Sequence, residues 1–94
     1  MSTFDIAHIR QQGVNLIIVP LDPSFGHKPD STQAEIIDSL QAAATSAGLA
    51  GTVVPVWRSG STHRFIAPRN WHAFFKSLSW NQILANINKR LTVR

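Results

Sequence analysis

The segment WRSGSTHRFIAPRNWHAFF, residues 57–75, holds three Arg, two His, two Trp and three Phe without one acidic side chain. Guanidinium and imidazole groups are donors suited to phosphate oxygens, and aromatic rings beside them offer faces on which bases stack. The candidates for contacting an anion are Arg58, His63, Arg64, Arg69, His72 and Lys76. Arg69, His72 and Lys76 are spaced i, i+3 and i+7, so a helix presents them together, opposite an apolar face of Trp71, Phe74, Phe75 and Leu78. Arg58, His63 and Arg64 flank the turn SGST, residues 59–62, of a hairpin. With that hairpin beside the helix start, Arg58, Arg64 and Arg69 converge on unpaired helical amides, a favourable place for a phosphate.

A second candidate is the loop DPSFGHKPD, residues 22–30, which follows the most apolar strand and leads into a helix. Ligands of parallel α/β units bind at the carboxyl ends of strands. Asp22, His27 and Lys28, with Ser31 and Thr32 at the helix start, are enough to hold a small anion. The loop matches neither the Walker pattern nor GxGxxG, so it does not imply a nucleotide. Its commoner role is a solvated connection, with Phe25 anchoring it to the core.

Catalysis and metal binding have weaker support. Ser, His and Asp occur without a distinctive arrangement, and no catalytic residue is assigned. His63, beside Arg58 and Arg64, has the chemistry of a general base for metal-independent RNA cleavage, with Arg stabilising the phosphorane charge. His8, His27, His63 and His72 lack local ligand spacing, and the chain has no Cys, so neither metal nor cofactor is expected and disulfides are excluded.

The elements that must position these residues fit into 94 residues, which predicts a single domain over 1–94. With 44% apolar and 15% charged residues the chain should fold. The opening MSTFDIAHIR has acid and base where a signal peptide is apolar, and the longest apolar run, Leu16 to Val19, is too short to span a bilayer. A cytoplasmic location and no membrane contact are the expectation. All five acids lie between Asp5 and Asp38, whereas seven of the nine Lys and Arg lie from Arg58 onward. That asymmetry points to an anionic partner, or to basic C-terminal elements folding back on an acidic helix. Lys89, Arg90 and Arg94 have a structural reason first, since cations are favoured at a helix C-terminus.

Ser2 or Thr3 as cap and Gly13 as stop predict a helix over Thr3 to Gln12. Val14 to Leu21 reads as a doubly buried strand. Thr32 to Glu35 reads as the capping box of a helix whose stripe, Ile36, Ile37, Leu40, Ala43, Ala44 and Ala47, ends at Gly48. Thr52 to Arg58 is a strand in which Pro55 requires an edge, a bulge, or one unpaired side. SGST turns it into an antiparallel strand over Arg64 to Ala67. Asn70 caps the next helix, and Ser79 with Gln82 boxes a last one whose stripe runs through Trp80, Ile83, Leu84, Ile87 and Leu91. The expected fold is α/β (α+β-like), a three-stranded mixed sheet in the order α-β-α-β-β-α-α with helices packed on it.

The expected function is a small non-enzymatic binding module whose basic hairpin and helix face hold an anionic partner, nucleic acid first and an acidic protein second. One alternative is a protein-interaction subunit or homodimer with Trp57 or Trp80 exposed in an aromatic interface. The other is a small ribonuclease using His63.

Overall fold

Every residue from Leu16 to Val19 is buried, so the strand containing them is covered on both faces and needs hydrogen-bonding partners along both edges. The computed structural model, which describes residues 2–93, supplies both. Strand β2 (Val14–Leu21) lies between β1 (Ser2–Gln11), antiparallel, and β3 (Thr52–Ser59), parallel. Adding β4 (Thr62–Phe65) and β5 (Lys89–Val93) gives a five-stranded mixed sheet in the order β4-β3-β2-β1-β5. The sheet has five strands instead of three, and the order of elements is β-β-α-β-β-α-α-β. Arg94 lies outside the described residues.

The helix expected over Thr3 to Gln12 is strand β1. Gly13 is the second residue of a two-residue hairpin loop, and Gln12 and Gly13 both have positive φ (51° and 76°), as a type I′ turn requires. A helix here would have left one edge of β2 unpaired. The last helix also stops early. Asn86 closes α3 (Trp80–Ala85) by donating its amide to the Gln82 carbonyl at 2.8 Å, and the chain then extends into β5. Asn88 prolongs the ladder with its side chain, accepting from the His8 N–H and donating to the His8 carbonyl, both at 2.9 Å. The macrodipole explanation for Lys89 and Arg90 therefore lapses. Arg90 instead faces Asp5 at 3.4 Å across the β1–β5 pair.

Helix α1 (Asp30–Ser46) takes most of the expected stripe, burying Leu40 and Ala44 with Ile36 and Ala43 half-buried beside them, whereas Ala47 is exposed and stands just past its end, before Gly48. Its start differs, because Pro29 is the cap residue and no side chain caps it, so the Thr32–Glu35 box does not form. Gln41 fixes α1 to the start of β3, accepting from the Val53 N–H at 2.9 Å and donating to the Gly51 carbonyl at 3.1 Å. Pro55 sits in an interior strand without harm. Its carbonyl accepts from the Ile66 N–H on the β4 side, and pairing with β4 begins only at Val56, so the missing donor lies where the ladder has ended. The β3–β4 hairpin forms around Gly60 (φ 61°), with β4 two residues earlier than expected.

Alternation along the strands divides the core in two. Ile6, Ile17, Val19, Val53 and Leu91 face α1 through Leu40 and Ala44. Ala7, Leu16, Ile18, Val54 and Val56 face the other way, against Trp71, Phe75 and Ile83. That second layer is built from a 3-10 turn (Arg69–Trp71), α2 (His72–Ser77) and α3. Pro68 precedes the turn where Asn70 was expected to cap, and its carbonyl accepts from the Trp71 N–H at 2.9 Å. The Ser79–Gln82 box does form, through Gln82 N–H to Ser79 Oγ (3.1 Å) and Ser79 N–H to Gln82 Oε1 (2.8 Å).

Candidate functional site

The β3–β4 hairpin and the start of the short-helix layer meet at one corner, held by histidine. His63 Nε2 lies 2.9 Å from the Phe75 carbonyl and His72 Nε2 lies 2.9 Å from the Ala67 carbonyl. A carbonyl oxygen only accepts, so each imidazole carries its proton on Nε2 and donates. His8 does the same to Ala50 at 2.8 Å. Three of the four histidines thus tie an element to the main chain of another segment. Phe65 fills the corner between them, with ring centroids 6.3 Å from His63, 5.3 Å from His72 and 5.3 Å from Phe75. Sequence reasoning passed over Phe65. The signal was the His-x-Phe spacing on a hairpin arm, which sets both rings on one face.

Around this corner stand the expected cations. Arg58 is the cross-strand partner of His63 and shares its face, on the side covered by the short helices. Arg69 and Lys76 belong to that covering layer and are exposed, as is His72. Arg64 is set apart, because it pairs with Trp57 and alternation turns it to the α1 side of the sheet. Arg58, Arg64 and Arg69 therefore do not converge. The helix start expected between them is a single 3-10 turn, Arg69–Trp71, followed by a six-residue helix. Among the described residues the one salt bridge is Arg90 to Asp5, so Arg58, Arg64, Arg69 and Lys76 have no carboxylate partner. Of the basic C-terminal elements only β5 folds back beside α1, and among the described residues no Lys or Arg forms a salt bridge with an acid of α1. α1 carries Asp30, Glu35 and Asp38 on one side of the sheet, and Arg69 and Lys76 lie on the other.

The 22–30 loop is ordered by its own contacts. Residues Pro23–His27 form a 3-10 turn in which Asp22 accepts from the Ser24 N–H at 2.9 Å. That bond, with help from the Ser24 hydroxyl and the Lys28 charge, holds the Asp22 carboxyl below its ordinary range. Phe25 is buried as expected, its ring 5.0 Å from that of Trp57, and Gln33 of α1 donates to its carbonyl at 2.9 Å. His27, Lys28 and Ser31 are exposed and Thr32 is half-buried, with no shared contact that would gather them on a ligand. Neither Trp57 nor Trp80, the two candidates for an aromatic interface, is fully exposed. Trp57 and Trp71 are each 7% exposed, and Trp80 is half-buried against the short-helix side of the core.

No group of His, Asp and Glu among the described residues is arranged to hold a metal ion. None of the helices among them is long and apolar enough to cross a membrane. Set against known protein families, curated proteins and solved structures, the chain matches none.

Proposed function

We propose that the protein is a non-enzymatic binding module for nucleic acid, working through the basic corner at the β4 edge. The observation that carries this reading is the set of exposed, carboxylate-free cations there, Arg58, Arg69 and Lys76 on one side of the sheet and Arg64 on the other. Four unpaired cations around one edge strand raise the local positive potential, which phosphates lower by displacing counterions. His63, His72 and Phe65 hold the corner in shape, so the cations stand on a fixed base. The arrangement favours a single strand over a duplex. A flexible backbone following the β4 edge can meet Arg64 as well as the other three, whereas a rigid duplex laid on one side cannot.

The test is fluorescence anisotropy with labelled single-stranded RNA and duplex DNA across salt concentration. Binding of the single strand should weaken with log salt at a slope of about −2.8 for four phosphates, and Arg58→Ala/Arg69→Ala should abolish most of it. Arg64→Ala should weaken only the single strand. Absence of binding at low salt, or binding indifferent to all these substitutions, removes the reading.

A further inference from the structure

The sheet has two edges, and the one opposite the basic corner is built differently. β5 is the outermost strand there, and its far side has no neighbour among the described strands. Beside it, α1 packs on the inner part of the strand through Leu40, Ala44 and Leu91 and leaves a furrow along the outer side. Two adjoining hollows run between them, one of ≈ 290 Å³ over Phe4, Ile36, Leu40 and Val93 with Glu35 at its rim, and one of ≈ 880 Å³ with a mixed lining of Ala43, Ala47 and Leu91 beside Ser46, Arg90 and Thr92. An open strand edge next to a partly apolar trough is a template for another strand.

The charges say which strand. Lys89, Leu91 and Val93 share the α1 side of β5, since Lys89 pairs with Ile6 and Leu91 with Phe4, and Ile6 and Leu91 both belong to the core beneath α1. Val93 and Glu35 line one end of the trough, whereas Lys89 lies at the other end of the strand. A two-fold axis through Leu91 pairs β5 with a second β5 antiparallel, which sets Lys89 opposite the partner's Val93 and so beside the partner's Glu35. The same operation sets Glu35 beside the partner's Lys89. An isologous interface needs a patch complementary to itself, and this one is, with base at one end and acid at the other. We infer that a second copy of this chain covers the trough, joining β5 to β5 in a continuous sheet. The surface is independent of the basic corner, which sits on the opposite edge.

Sedimentation equilibrium on the purified chain tests this, because Glu35 and Lys89 are both exposed and their reversal leaves the core intact. The wild-type chain should be dimeric. Lys89→Glu and Glu35→Lys should each raise the dimer dissociation constant by about tenfold, since two-fold symmetry repeats the substitution and so reverses a charge in both of the dimer's contacts. An equimolar mixture of the two variants should associate again as a heterodimer, and the double variant as a homodimer. A wild-type monomer up to about millimolar concentration overturns the inference. So does a dimer that neither reversal weakens, or single variants that fail to recombine.

Discussion

The two helical layers cover similar strand surfaces by opposite means. On one side a single helix of 17 residues carries a regular apolar stripe, and its buried Leu40 and Ala44 are backed by half-buried Ile36 and Ala43. On the other, a 3-10 turn and two six-residue helices each contribute one buried side chain, Trp71, Phe75 and Ile83. Helices that short have no stability of their own. Their layer stands on packing and on bonds from side chain to main chain, among them the His63 and His72 links and the Ser79–Gln82 box. A long helix spreads its hold over many residues, whereas a broken layer concentrates it in a few.

The sharpest way to break that contrast is to truncate one anchor in each layer. Phe75→Ala should cost about 3–5 kcal/mol, measured by urea denaturation, and should raise amide exchange throughout α2 and α3. Leu40→Ala should cost about 2–5 kcal/mol, toward the lower end because its neighbours persist, with α1 protection falling only near the site. Equal losses of protection in both layers would end the distinction.

A smaller effect separates the helix starts. Ser79→Ala removes a side-chain cap and should cost about 1 kcal/mol, whereas Thr32→Ala, on a helix that uses no side-chain cap, should stay within about 0.5 kcal/mol of wild type. Paired thermal melts compare them directly. The smallest effect is on the turn that leads into α1. Because the folded carboxyl of Asp22 titrates below its unfolded counterpart, its contribution is present above the unfolded value and is lost as pH falls through the folded one. NMR titration should place its midpoint below that of an unstructured Asp, and Asp22→Ala should remove that part of the acid sensitivity.

This contrast also explains what could be read from residues alone. α1, β2, the β3–β4 hairpin and the Ser79 box were legible, because each rests on a local pattern of periodicity, β-branched content, turn residues or capping spacing. β1 and β5 were not. Thr3 to Gln12 has a cap residue, an early acid and a terminal Gly, all of which suit a helix, and only the demand of β2 for a second neighbour decides otherwise. Ile87 and Leu91 continue a helical stripe in number, but Asn86 and Asn88 spend their amides on the Gln82 carbonyl and on the main chain of His8. The β1–β5 pairing is distant in sequence and local pattern does not encode it, whereas the β1–β2 hairpin is local and its Gln12-Gly13 turn suits a helix stop as well as a turn. At the candidate site the residue types were legible, whereas the separation of Arg64 from Arg58 followed from a register that only the fold fixes.

β1 divides its length between two partners, Ser2 to Ile6 with β5 and Ala7 to Gln11 with β2. During synthesis its second half can zip onto β2 within moments of emerging, through a two-residue loop. Its first half must wait, since Ser2 lies across from Val93 and that strand leaves the ribosome after all the other elements. The growing chain therefore passes most of its time with one half of its first strand bare. Of the pairings in the sheet this one spans the greatest separation along the chain, and its closure carries the largest loop-closure cost.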